Sequence, residues 1–150
     1  MKLIVCVDET MGMMFNNRRQ SRDGVLIEHI LDLVDDKKIW ITSFSESLFK
    51  FKTEYILFEE RPIGIESGEF CFVENISPKA LEELVDEIIL YNWNRKYPAD
   101  KYFDISLDNW ILESEVEIKG SSHEKIIERI YKREEIKWDV QRSPIIKLNL

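Results

Sequence analysis

Five short apolar runs, each closed by polar or turn residues, constrain this chain more than any other feature of its sequence. They are "KLIVCV" (2–7), "KKIWIT" (37–42), "EYILFEE" (54–60), "GEFCFVE" (68–74) and "EIILYNWN" (87–94). The first and the last are rich in Ile, Leu and Val without alternation, the pattern of strands buried on both faces of a parallel sheet. Segments of helical period lie between them. "VLIEHILDLV" (25–34) spaces Leu26, Ile27, Ile30, Leu31 and Val34 along one face, with Ser21 or Asp23 available to cap its first turn. "SFSESLF" (43–49) reads as a helical turn or two, and in "SPKALEELVDE" (77–87) Pro78 takes the first helical position behind Ser77.

The later part of the chain changes character. "RKYPADKYFDISLDN" (95–109) reads as a long polar and aromatic connection. "WILESEVEIKG" (110–120) alternates apolar and charged residues, so it predicts a strand with one wet face, antiparallel at or near a sheet edge. "SSHEKIIERIYKR" (121–133) has Ser121 and Glu124 at capping-box spacing and an apolar stripe of Ile126, Ile127, Ile130 and Tyr131, which predicts a helix with His123 exposed at its start. "IKWDV" and "PIIKLNL" offer one or two short closing strands. No repeat, low-complexity tract or linker divides the 150 residues. The prediction is one α/β domain over 1–150, with a mainly parallel central sheet flanked by helices and a late antiparallel strand.

Composition narrows the function classes. A formal charge of −8 disfavours broad adhesion to nucleic acid or to an anionic membrane. Cys6 and Cys71 sit inside strand-like runs and read as buried free thiols. Two histidines, His29 and His123, give a zinc site little to build on, and no metal is expected. No apolar segment approaches the roughly 20 residues that cross a bilayer, and the first residues lack a signal-peptide stretch, so a cytoplasmic location is expected. Cofactor and oligomeric state stay open.

One stretch stands out against this acidic background. "MGMMFNNRRQSRDG" (11–24) leaves the carboxyl end of the first strand and enters the first helix, where open α/β sheets bind their ligands. Arg18, Arg19 and Arg22 suit an anion clamp, because guanidinium forks hold phosphate or carboxylate bidentately. They suit a solvated surface loop equally well. Asn16, Asn17 and Gln20 add donors and acceptors of the kind that read a base or a pteridine edge. Asp8 closes the strand or binds a ligand. Asp23 caps the helix or, with apolar walls such as Met13, Met14 and Phe15 raising its pKa, donates a proton. Asn75 and Ser77 read as turn and cap residues; Trp40, Trp93 and Trp110 read as core or near-core, Trp93 beside the pocket.

The order of elements resembles the dihydrofolate reductase fold family. "IVCVDETMGMM" is similar to its first strand running into an acidic residue and then a Gly-Met in the mobile loop. "DEIILYNWNRKYPADKYFDISLDNWILESE" is similar to its late strand and long loop, with Leu90 and Tyr91, then Asp100, Tyr102, Phe103 and Trp110 at the matching places. The resemblance implies a pterin- or nucleotide-like anionic ligand and puts Asp23 at the family's helix carboxylate. It also implies phosphate-binding turns for a nicotinamide cofactor at "TSFSES" (42–47) and "ENISPK" (74–79), yet neither contains the glycine those turns use. "MMFNNRRQSRD" is further similar to small bacterial proteins labelled as ribonucleases. The metal-dependent enzymes of that label need a histidine-rich cluster, which two histidines cannot supply. Three functions stand at this point: a small-ligand-binding, reductase-like protein or divergent oxidoreductase; a phosphodiester-cleaving enzyme; and a non-catalytic regulatory module.

Overall fold

In the computed structural model, which describes residues 1–49 and 54–134, β1 (Lys2–Val7) runs through a seven-stranded sheet. A hairpin of β2 (Gly12–Phe15) and β3 (Arg18–Arg19) follows, then α1 (Gly24–Val34), β4 (Ile39–Ile41) and β5 (Ile56–Phe58). β6 (Phe70–Phe72), β7 (Glu87–Asn92), β8 (Lys101–Tyr102), β9 (Trp110–Ile118) and β10 (Ile126–Arg133) complete the described strands. Short 3-10 helices over Ser43–Leu48, Pro78–Leu84 and Leu107–Asn109 serve as connections, so α1 is the one α-helix among the described residues.

The sheet order is β5-β4-β6-β1-β7-β10-β9. β5, β4, β6, β1 and β7 pair in parallel, and β10 pairs antiparallel with both β7 and β9. The architecture is thus α/β with a mostly parallel sheet, and β9, the alternating strand, forms an edge, where Ile111, Leu112 and Val116 are exposed along with the charged residues between them.

β1 shows why its sequence is apolar throughout. Leu3, Val5 and Val7 join a cluster with Leu81, Val85, Ile88, Leu90 and Trp110 on one face of the sheet. Ile4 faces the other way, into a cluster with Leu26, Ile30 and Val34 of α1 and with Ile89 and Tyr91. The three α1 residues repeat every fourth position, so they form one stripe, and burying each contributes roughly 1.5–3 kcal/mol. A polar tie reinforces this layer: buried Glu128 of β10 accepts from the Tyr91 hydroxyl at 2.9 Å and lies 2.6 Å from His29 of α1. The two cysteines are free thiols, Cys71 buried and Cys6 half-buried. Burial pushes the Cys71 thiol up to about 12 and raises that of Cys6, with Glu74 adding to the rise at Cys6, so neither is a thiolate at neutral pH.

Three expectations are corrected. Residues 126–133, read as a helix, form β10. Ile126 and Ile130 lie four apart, a spacing that one helix face and one strand face both allow, and partners on both sides decide for a strand. His123, expected to be exposed, is 3% exposed. The segments read as irregular before α1 and after β7 pair through β2 and β8, giving a separate small sheet of order β3-β2-β8. "IKWDV" and "PIIKLNL" lie outside the described residues.

The hairpin turns on Asn16 and Asn17, whose φ values are 51° and 58°. Two consecutive left-handed residues match the right-handed twist of the strands, and Asn tolerates that region where most residues do not. A β-branched side chain at position 17 should therefore cost about 1–2 kcal/mol, whereas Asn17→Gly should be neutral or slightly stabilising. Urea denaturation of Asn17→Val and Asn17→Gly checks this; equal midpoints for the two would contradict the turn.

Candidate ligand cleft at the carboxyl end of the first strand

Asp8, the residue directly after β1, is buried and accepts five hydrogen bonds. The donors are the amide and hydroxyl of Thr10 and the amide of Gly12, each at 2.8 Å, the Tyr97 amide at 3.0 Å and Gln20 Nε2 at 3.3 Å. Burial works to raise its pKa, but hydrogen bonds from Tyr97, Thr10 and Gly12 outweigh that and hold it below the ordinary range. Asp8 thus ties the strand end to the hairpin and to the loop after β7.

The arginines separate into two kinds. Arg19 is committed: its Nε and Nη2 donate to the two carboxylate oxygens of Glu74 at 2.9 and 3.1 Å, and Nη2 also donates to the Phe44 carbonyl at 3.0 Å. Its guanidinium lies 4.8 Å from the centre of the Phe44 ring. Its Nη1 reaches only Ser47 Oγ, at 3.4 Å, and the side chain lines the cleft described below. The Arg18 and Arg22 side chains are exposed, and no carboxylate among the described residues pairs with them. Asn17 sits in the exposed hairpin turn, away from the cleft described next.

Asp23 is the N-cap of α1, and its side chain does more than cap. Oδ1 accepts from the amides of Val25 and Leu26 at 3.0 and 3.2 Å, and from the amide and hydroxyl of Ser121 at 2.9 and 3.0 Å. Oδ2 accepts from the amide and hydroxyl of Ser122 at 2.8 and 3.1 Å and lies 3.0 Å from His123 Nδ1. Burial alone would raise the Asp23 pKa, but the bonds from Ser121, Ser122, His123 and Leu26 outweigh it and hold the carboxyl well below the usual carboxylate range. A group so depressed is ionised at neutral pH and has no proton to give. Gly120 completes the arrangement, since a Cβ there would run into the Asp23 carboxylate.

Between this cap, the hairpin and the end of the sheet lies a narrow cleft, partly open to solvent, whose water-accessible volume is about 20 Å³. Met13, Leu26, Phe72 and Trp93 give it apolar walls, and Gln20, Ser21, Arg22 and Asp23 give it a polar rim. Gln20 Nε2 donates to Asp8 and to the Pro98 carbonyl, both at 3.3 Å, which fixes the amide's orientation. Its Oε1 is left buried with no partner, alone in this among the described side chains. A buried acceptor without a donor costs about 1–3 kcal/mol, so this atom marks where a donor is wanted.

The turns that the resemblance assigns to a dinucleotide carry carboxylates instead. The Ser43 amide donates to Glu60 Oε1 at 2.7 Å, Ser45 Oγ donates to Glu74 Oε2 at 2.7 Å, and the Lys79 amide donates to Asp104 Oδ1 at 2.8 Å. The Ser77 hydroxyl donates to Asp104 as well rather than capping its own helix. Donors already taken by anions do not fit a pyrophosphate. Among the described residues no group of three or more His, Cys, Asp and Glu side chains is placed to hold a metal ion.

Of the residues the sequence singles out, Arg19, Gln20, Arg22 and Asp23 line the cleft together with Trp93, Asp8 touches it through Gln20, and Asn17 and Arg18 do not line it. Sequence reading did not bring in His123, Tyr97 or Glu74. His123 reaches Asp23 across 100 positions of sequence, and no local pattern announces such a pairing.

The sign of the Asp23 contribution follows from its depressed pKa. Its stabilisation is complete above the ordinary Asp value of about 3.9 and is lost as pH falls below that towards the lowered native value. Wild type should therefore lose stability between about pH 4 and pH 2, while Asp23→Asn should start roughly 3 kcal/mol lower at pH 7 and fall less over that interval. Urea melts at both pH values check this; parallel losses would contradict it.

No protein-family model and no curated protein matches this sequence. Solved structures do. A dihydrofolate reductase from Enterococcus faecalis, complexed with NADP(H) and RAB-propyl, superposes with a TM-score of 0.65 at 10% identity, over 89% of this chain and 96% of that one. At that identity the likeness is one of fold: this chain has a dihydrofolate reductase-like fold.

Proposed function

We propose that this protein binds a small anion of nucleotide- or pterin-like shape in the cleft at the end of β1. The observation that carries this reading is the buried, unpartnered Oε1 of Gln20, a residue that lines the cleft. A heterocycle with a ring N–H or exocyclic amine supplies the missing donor. Met13, Phe72 and Trp93 offer apolar surface to its faces, and Arg22 on the rim offers charge to a phosphate or carboxylate. Arg19 lines the cleft as well and supports its wall by holding Glu74.

This reading favours a binding protein over a nicotinamide-dependent oxidoreductase. Glu60, Glu74 and Asp104 already hold the donors of both candidate phosphate turns, so the reduced dinucleotide finds repulsion there. Titration with reduced nicotinamide dinucleotide phosphate, followed by tryptophan fluorescence, should give no saturation at micromolar concentrations. Saturable low-micromolar binding would overturn this part of the reading.

Binding itself is tested by thermal shift with a pterin, a folate, a purine mononucleotide and inorganic phosphate. At a hundredfold excess over Kd a ligand stabilises by about 2.7 kcal/mol, enough to raise Tm by roughly 5–10 °C. The heterocyclic anions should raise Tm, and phosphate alone should do so weakly. Gln20→Leu and Arg22→Ala should each lose most of the rise while remaining folded. No shift with any heterocycle, or equal shifts in the variants, would contradict the cleft as a ligand site.

A further inference from the structure

Ser21 adds to the cleft rim a group that ligand binding does not use. Its Oγ lies 3.0 Å from His123 Nε2, and His123 Nδ1 lies 3.0 Å from Asp23 Oδ2. Asp23 is a permanent acceptor, so it draws the Nδ1 proton and leaves Nε2 with a free lone pair facing Ser21. Trp93 stacks on the imidazole at 4.6 Å between ring centres, which fixes the ring plane. The Tyr97 hydroxyl lies 3.2 Å from Nε2 and 3.5 Å from Ser21 Oγ. His123 is buried, whereas Ser21 is half-buried and lines the cleft. A structural clamp does not need its hydroxyl at the ligand cavity; a nucleophile does.

We propose that Ser21 is a nucleophile activated by His123, with Asp23 as the positioning residue, and that the cleft admits a small carboxylic ester. The proposal rests on the cleft being a ligand site. Ser21 Oγ forms a bond to the carbonyl carbon as its proton passes to His123 Nε2, and the carbonyl π pair moves onto oxygen. The Tyr97 hydroxyl is a donor beside the position where that charge develops. Collapse breaks the bond to the leaving alkoxy oxygen, which takes the proton from Nε2. Water then attacks the acyl-Ser21, again through Nε2, and releases the carboxylic acid with Ser21 restored. Met13, Leu26 and Phe72 face the acyl chain, and the narrowness of the cleft limits it to a short one.

The test uses the full chain with a fluorophosphonate probe and with p-nitrophenyl acetate. Peptide mass spectrometry should find a single fluorophosphonate adduct on Ser21, and Ser21→Ala should lose the adduct and at least 100-fold of the ester hydrolysis. His123→Gln should also lose labelling; because His123 is buried, the small half-buried Ser21→Ala change keeps the test valid if that variant does not fold. Nitrogen NMR should show His123 with the proton on Nδ1 in wild type. Asp23→Asn should shift it to Nε2 and slow labelling at least tenfold, a tautomer change that a mere cap would not link to reactivity. Absence of a Ser21 adduct, or equal hydrolysis by wild type and Ser21→Ala, overturns the proposal. The ligand-induced rise in Tm, measured on the same Ser21→Ala protein, reports separately on whether the cleft binds.

Discussion

Ser121 and Ser122 lie on the surface at the turn between β9 and β10, yet their amides and hydroxyls all converge on one buried carboxylate, that of Asp23. That carboxylate simultaneously holds the first turn of α1 and the ring of His123. The rest of the cleft depends on this convergence. It joins the helix start to the antiparallel end of the sheet across some 98 positions of sequence, and the space between them becomes a fixed cavity rather than an open groove. The stabilisation requires the ionised form, which every donor around it favours. A residue in such a setting orients its neighbours and is poorly suited to deliver a proton.

Parts of this were legible in the sequence, for reasons that differ from residue to residue. β1 and β7 are apolar on both faces because each has strands on both sides and core on both faces, and that environment leaves an unambiguous pattern. β9 alternates because it is an edge. β10 misleads because two isoleucines, Ile126 and Ile130, lie four apart on what is also the even face of a strand, and only the partners β7 and β9 separate the two readings. The hairpin of β2 and β3 hides because Asn16 and Asn17 do the work usually signalled by glycine. Within the site, Asp8, Gln20, Arg22 and Asp23 were accessible because they follow the first strand in order. Arg19 looked like its neighbours until Glu74, 55 positions away, paired with its Nε and Nη2.

Electrostatics divides the surface at this end of the sheet into two kinds. The chain's scaffold superposes on a dihydrofolate reductase, while the turns after β4 and β6 hold Glu60, Glu74 and Asp104 against backbone and hydroxyl donors. These contacts order the turns internally and supply what an external anion would otherwise supply. The opposite holds at Gln20, where a buried oxygen has no internal donor. One part of the surface is self-sufficient and the other is incomplete, and incompleteness is the better guide to where a ligand acts.

Amide hydrogen exchange at Ser121 and Ser122 tests the central claim most directly. Both residues are exposed, so protection of their amides can come only from the bond to Asp23. Both amides should exchange as slowly as the core of β10 in wild type at pH 7, and rapidly in Asp23→Ala, with β1 and β7 unaffected. Fast exchange of Ser121 and Ser122 in the wild-type protein would contradict the account, because the carboxylate would then not join the two ends of the cleft.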